Sequence, residues 1–274
     1  MASSAEQLAS QMSLGAFGKA TELKKRIWFT LAALVVYRLG TYIPLPGIDP
    51  AALQEIFRQN SGGIIGMFDM FSGGALGRMS IFALNIMPYI SAAIIMQLMT
   101  AVSPNLEALK KEGEVGRKKI NQYTRYLTVL LAAVQAYGIA TGMESLQGPR
   151  GLAVNDPGMF FRVTTVITLV GGTIFLMWLG EQITARGVGN GISLIIFSGI
   201  VANLPQALAG TLELGRTGAL STLFILLLLV MSVGVIAFIC FIERSQRRIL
   251  VQYPKRQVGN RMFGGESSHL PLKL

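Results

Sequence analysis

The chain has 274 residues, of which 51% are hydrophobic and 14% charged, and its mean hydropathy is +0.52. So small a charged fraction excludes an ordinary soluble domain, in which about a quarter of residues are charged, and points to an integral membrane chain with several spans. The net charge of +10 would suggest nucleic acid in a soluble protein, but here the basic residues lie in loops between apolar runs, where topology explains them first. A single cysteine, Cys240, excludes an intramolecular disulfide, and with the lone His269 it makes a poor metal site.

Residues 1–23 are polar and mixed, with a short interfacial helix expected around Leu14–Leu23. Lys24-Lys25-Arg26 precedes the first span, Ile27–Ile43, which is too long for a signal-peptide core and has no small-residue cleavage pattern. Arg38, near its far end, reads as a residue that snorkels to the interface rather than one that gates. Pro44-Leu45-Pro46-Gly47 stops that helix.

After a loop over residues 48–63 comes an apolar piece, Ile64–Leu76, which at 1.5 Å per residue covers about 20 Å and falls short of a bilayer core of ~30 Å. Gly62-Gly63 lies before it and Ser72-Gly73-Gly74 interrupts it, so it reads as a half-inserted segment hinged onto the second span, Ile81–Val102. Irregular backbone at membrane depth must sit inside protein or a wet cavity, which makes the piece a stopper candidate; a helix lying on the outer surface is the competing reading.

Ser103-Pro104 ends the second span, and a loop carries Lys110, Lys111, Arg117, Lys118 and Lys119. The remaining spans are expected at Tyr123–Met143, Phe161–Leu179, Ile192–Ala209 and Leu220–Ile242, the short link Glu181–Asn190 making the fourth and fifth antiparallel neighbours. Basic residues gather in the N-terminal cluster, the Lys110–Lys119 loop, Arg186 and the tail, while Arg58, Arg150, Arg162 and Arg216 fall on the other side and Arg78 at the hinge. That bias puts both termini in the cytoplasm. Apart from Arg38 the spans read as almost free of ionisable groups.

No catalytic constellation is apparent, so the chain is not expected to be an enzyme, nor to need a cofactor or metal. Gly187-Val188-Gly189-Asn190-Gly191 lacks the Lys-Ser/Thr of a phosphate loop and reads as a tight turn, with Asn190 capping the fifth span.

Two stretches are specific. Asn85-Ile86-Met87-Pro88-Tyr89-Ile90-Ser91, running to Gln97-Leu98, and Trp178-Leu179-Gly180-Glu181-Gln182-Ile183-Thr184, through Gly187-Val188-Gly189-Asn190-Gly191-Ile192-Ser193, resemble the signatures of the SecY family, the pore subunits of protein-conducting channels. Tyr37-Arg38-Leu39-Gly40, Arg247-Arg248-Ile249 and Tyr253-Pro254-Lys255-Arg256-Gln257 fit the same resemblance. It implies an all-α, polytopic helical membrane fold: the N-terminal part of the SecY fold, with about six transmembrane helices and a re-entrant plug helix. The divisions would be 1–23 as cytoplasmic segment, 24–209 as the N-terminal half with its plug at 64–78, 210–243 as span six and 244–274 as a basic tail. The second half of the fold would be missing, and residues 1–274 alone are expected to be inactive in translocation.

The resemblance also assigns roles. Ile86 and Ile90 on the second span, with Ile192 and Ile196 on the fifth, fall on the family's pore ring, although on spacing alone they would be ordinary membrane packing. Met67, Phe68, Met70, Phe71, Ser72, Gly73, Gly74, Ala75 and Leu76 look like the plug. Ser91 and Gln97 would lie in the lateral gate, although polar groups there are more often interhelical hydrogen bonds. Arg247, Arg248, Lys255, Arg256 and Arg261 would dock the ribosome and the SecA motor. The implied partners are SecE and SecG, SecA, the ribosome, signal sequences, unfolded preproteins and lipid, in the bacterial cytoplasmic membrane. The competing functions are a small-solute or proton-coupled secondary transporter and a scaffold without a pore.

Overall fold

A computed structural model describes residues 21–49, 53, 69, 72–148, 151–252, 256–258, 261–263 and 267–273. The chain falls into two compact units, residues 1–205 and 206–274.

In the first unit, α1 is Thr21–Gly40, α2 Met87–Val102, α3 Pro104–Lys111 and α4 Glu114–Ser145. A two-stranded ribbon follows, β1 (Gln147–Gly148) and β2 (Gly151–Leu152), then α5 (Met159–Arg186) and α6 (Gly191–Ala202). Helix α7, Leu204–Arg216, crosses the division between the units, and among the described residues the second unit holds α8 (Thr222–Arg244) and four strands. β3 (Gln246–Gln252) pairs antiparallel with β6 (Ser267–Lys273), and β4 (Arg256–Val258) with β5 (Arg261–Phe263).

The mostly helical architecture agrees with the sequence reading, but several boundaries move. The expected second span from Ile81 starts as a helix only at Met87, because Asn85 takes a positive φ of 50° and Pro88 occupies the first helical turn, where its missing N–H is not needed. Residues 73–86 are successive turns instead. The basic Lys110–Lys119 stretch is helical, formed by α3 and the start of α4; its lysines and glutamates are good helix formers, and Lys111 pairs with Glu107 one turn away at 2.8 Å. The expected fifth span divides at Asn203 into α6 and α7, with Pro205 in the first turn of α7. The described residues 246–273 of the tail pair as strands rather than forming a plain loop.

Among the described residues, four runs have the length and hydropathy of a span: Glu114–Ser145, Met159–Arg186, Gly191–Arg216 and Thr222–Arg244. A fifth is added if α2 and α3, bent by 98° at Ser103, count as one. Helix α1 stays outside this group because Glu22, Lys24, Lys25 and Arg26 lie at one end and Arg38 at the other.

Packing in the first unit depends on small side chains. Along α4, Thr124, Thr128, Ala132, Ala136 and Ala140 are all buried at a spacing of one helical turn. This stripe lets α2 and α5 approach α4 closely, the usual solution where hydrophobicity gives no net pull between helices. Arg–Glu pairs join α4 and α5 near both ends. The Arg125 guanidinium grips Glu181 at 2.9 and 2.8 Å, and that of Arg162 grips Glu144 at 2.8 and 2.6 Å. Glu144 also accepts the Gly158 N–H at 3.0 Å, at the start of α5.

Ala136 is fully buried, so Ala136→Leu should overpack the α4 interface and cost about 1–3 kcal/mol. Thermal unfolding in detergent should show the lowered midpoint, while Val134→Leu, on the exposed side of the same helix, should leave it unchanged.

Candidate pore lining and plug seat

Segment 41–49 leaves α1 as a strap of turns with isolated bridges from Pro44 to Ser80 and from Ile48 to Val154. Leu45 N–H donates to Met79 O at 2.9 Å and Ile81 N–H to Ile43 O at 3.0 Å, so the strap pairs with the turns before α2. Further on, Asn155 N–H donates to Gly47 O at 3.1 Å and Asp49 N–H to Ala153 O at 3.2 Å, tying the strap to the α4–α5 connection. The turns themselves press into two glycines. A Cβ on Gly172 of α5 would collide with Ile81 O, and one on Gly40 of α1 would collide with the Phe82 ring.

Phe82 lies in an aromatic file, 6.2 Å from Tyr37 and 5.8 Å from Phe175 between ring centres, with Trp178 a further 5.8 Å beyond Phe175. Around it lies one apolar cluster. Ile86 is fully buried in this cluster, and Ile90, Ile192 and Ile196 pack against it, half-buried. The structure thus brings together the isoleucines that the resemblance singled out. Ile86 precedes the first residue of α2, and its carbonyl accepts from Ile90 N–H at 3.1 Å, so the two side chains share a face even though the helix begins one residue later.

Ile192 and Ile196 sit on successive turns of α6. Asn190 caps that helix as expected, its Oδ1 accepting from Ile192 N–H at 3.0 Å and Ser193 N–H at 3.4 Å. Helix α6 turns back tightly on α5: a Cβ on Gly191 would strike Gly180 O, and a Cβ on Gly180 would lie 3.1 Å from Ile192.

Of the stopper segment, Met67, Phe68, Met70 and Phe71 lie outside the described residues. Asp69 and Ser72–Leu76 are described, and Asp69 and Ser72 tie the turn together by accepting N–H groups from it and from Gly77. Asp69 O accepts from Gly74 N–H at 2.9 Å, Asp69 Oδ1 from Gly77 N–H at 2.6 Å, and Ser72 Oγ from Leu76 N–H at 3.1 Å. Gly73 and Gly74 both take positive φ, 67° and 80°, a region that a β-carbon disfavours. A Cβ on Gly73 would lie 2.8 Å from Gly199 O, so this turn rests directly on α6. Gly199 stands one turn beyond Ile196, on the face that carries Ile192 and Ile196.

Arg38 does not behave as the sequence reading expected. Its Nη1 donates to Gly73 O at 2.8 Å, so it contacts the stopper turn instead of snorkelling away. Arg78 Nη2 donates to the same oxygen at 3.0 Å, and the Arg78 guanidinium lies 4.4 Å above the Tyr42 ring. Sequence reasoning missed this set and both α4–α5 ion pairs. One usable signal existed for the pairs: the interval from Arg125 to Glu144 equals that from Arg162 to Glu181, which brings both pairs together if the two helices run antiparallel.

The two gate candidates separate. Ser91 lines a cavity of about 370 Å³ with Ser72, Leu76, Asn85 and Gln135, between the stopper turn, α2 and α4. Gln97 lines a different one, of about 240 Å³, with Tyr89, Lys110 and Arg117. In the second unit Arg247 is exposed on β3, Arg248 follows it there, Arg256 and Arg261 lie on the β4–β5 hairpin, and Lys255 falls outside the described residues.

Replacing the N-cap by Asn190→Ala should cost about 1 kcal/mol at the start of α6. Hydrogen exchange should show faster exchange confined to the Ile192 and Ser193 amides.

Residues 80–274 match the SecY family model. The chain is 59% identical over 253 residues to the protein translocase subunit SecY of Rickettsia conorii, covering 92% of this chain and 58% of that protein. It is 58% identical to the Escherichia coli K12 subunit, covering 92% of this chain and 57% of that one. The chain therefore spans rather more than half the length of these relatives. Among solved structures, a protein-conducting channel superposes with a TM-score of 0.54 at 18% identity, over 92% of this chain and 53% of that chain. A structure concerning the SecY plug domain superposes at 0.52 and 19% identity, over 92% and 52%. Sec61 from a canine ribosome-channel complex gives 0.51 at 18% identity, over 83% and 49%. At these identities the structural likeness establishes the fold.

Proposed function

The chain belongs to the SecY family, and from that membership we propose that it supplies the N-terminal spans, half of the pore ring and the plug of a channel that moves unfolded preproteins across the bacterial cytoplasmic membrane and releases membrane segments into it. The observation that carries this reading is the seat of the Gly73 turn on Gly199, one turn beyond Ile196 on the ring-bearing face of α6. A stopper and a ring that act together have to be neighbours. The solved relative supports the assignment, since its plug domain stabilises the closed state of the translocation channel and maintains a membrane seal.

Branched apolar side chains suit such a ring. They dewet a constriction against ions and offer a passing chain no hydrogen bonds to hold it. Ile86, Ile90, Ile192 and Ile196 supply these groups, and the glycines of the Ser72–Leu76 turn let the plug pack flat and move away. Spans α2 and α4 form one wall of the lateral gate, where Ser91 borders the cavity beside the plug and Gln97 the second cavity. The basic tail, with Arg247, Arg248, Lys255, Arg256 and Arg261, faces the cytoplasm with both termini and docks the SecA motor and the ribosome; SecE and SecG complete the complex. The solute-transporter alternative finds no support among the relatives, which are named as translocase subunits and protein-conducting channels.

A chimera tests the reading: the matched region of the Escherichia coli relative is replaced by this chain, and preprotein secretion is followed in cells depleted of their own subunit. The chimera should restore secretion, and a stable, membrane-inserted chimera that does not would refute the reading. In the same chimera, Ile86→Asn with Ile192→Asn should raise the ion leak at rest. Ribosome binding to it should weaken steeply between low and physiological salt, as phosphate contacts by arginines do; salt-independent binding would remove the tail from that role.

A further inference from the structure

Two neighbouring side chains of α1 reach two neighbouring carbonyls of the plug turn. The Tyr37 hydroxyl makes a long contact of 3.5 Å to Ser72 O, and Arg38 Nη1 donates at 2.8 Å to Gly73 O. A carbonyl oxygen has two lone pairs, and the second acceptor position on Gly73 O is taken by Arg78 Nη2 at 3.0 Å. Both guanidinium groups lie over the Tyr42 ring, 5.3 and 4.4 Å from its centre, and Arg78 Nε reaches back to Thr41 O at 3.4 Å.

We propose that Arg38 is the latch of the plug: a positioning residue on the first span that, with Arg78, holds the Gly73 carbonyl and keeps the turn pressed on Gly199 while the channel is closed. This rests on the plug reading above and adds to it the group that sets the closed state. The latch grips backbone, so it places no demand on plug side chains beyond the two glycines whose positive φ aims the carbonyl. The acceptor is neutral, but the donors are charged, and a charge-assisted bond of this kind is about twice as strong as a neutral one. It remains reversible. Losing it should raise the population of the unlatched state by about tenfold or more.

The test uses the full-length chimera in planar bilayers, with resting conductance and the secretion of a preprotein carrying a weakened signal sequence as readouts. Arg38→Ala should raise the resting conductance about tenfold and admit the weakened preprotein; Arg38→Lys, which keeps a charged donor, should recover much of the seal. Deleting Met67–Gly77 should leak at least as much, and adding Arg38→Ala to the deletion should change nothing further. If the deletion leaks and Arg38→Ala does not, the latch is refuted and the plug stands. If the deletion itself leaves both readouts unchanged, the plug reading falls and the latch with it. If Arg38→Ala adds leak on top of the deletion, the arginine acts elsewhere and the latch is refuted. Should Arg38→Ala fail to insert, Arg78→Ala and Tyr42→Leu remove the second donor and the shared ring without touching α1's arginine, and sealed channels from both would equally refute the proposal.

Discussion

The turns between Ser72 and Ile86 are packed among apolar helices, and irregular backbone there is tolerated only if protein satisfies its peptide groups. Much of the first unit answers that requirement. Asp69 and Ser72 take the N–H groups of Gly74, Leu76 and Gly77. Tyr37, Arg38 and Arg78 take the carbonyls of Ser72 and Gly73. The strap after α1 pairs with Met79 and Ile81. Gly40 and Gly172 have no side chain because Phe82 and the Ile81 carbonyl occupy that space.

The same arrangement joins the isoleucine cluster to the glycine turn. Helix α2 cannot begin until the turns end, so Ile86 stands at the junction, buried, with Ile90 one turn on. Helix α6 meets the junction from its own start, fixed by Asn190 and by the close approach of Gly191 to Gly180. The isoleucines of two helices thereby enter one cluster, and the next turn of α6 offers Gly199 to the Ser72–Leu76 turn. Small residues decide each of these approaches, as they do along the Thr124–Ala140 stripe of α4.

Much of this was legible in the sequence. Low charge and long apolar runs identified a membrane chain, Gly73-Gly74 marked a turn, and Asn190 announced a helix start, while Gly62-Gly63 and most of the run from Ile64 lie outside the described residues. Periodicity could not place the start of α2, because Ile81–Ile86 is as apolar as the helix that follows; only the positive φ of Asn85 and the position of Pro88 separate them. Arg38 was misjudged for a physical reason. An arginine near the end of an apolar run has two ways to be satisfied, water beyond the membrane or a carbonyl within the protein, and the choice depends on a turn that lies 35 residues away in the chain. The ion pairs of α4 and α5 were hidden likewise, since each partner alone looks like a residue at the end of a span. The β-structure of the tail escaped because its basic residues drew attention to topology and not to pairing.

The central claim is that the turn-rich junction and its isoleucines face protein rather than lipid. Nitroxide labels at Ile86, Ile90, Ile192 and Ile196, one at a time in a Cys240→Ser background and in lipid vesicles, measure this through their collisions with dissolved oxygen, which concentrates among acyl chains. The account predicts low collision rates at all of them, against a high rate for a label at Leu226 on α8, a helix that buries none of its residues. Rates at the isoleucines equal to that at Leu226 would contradict it.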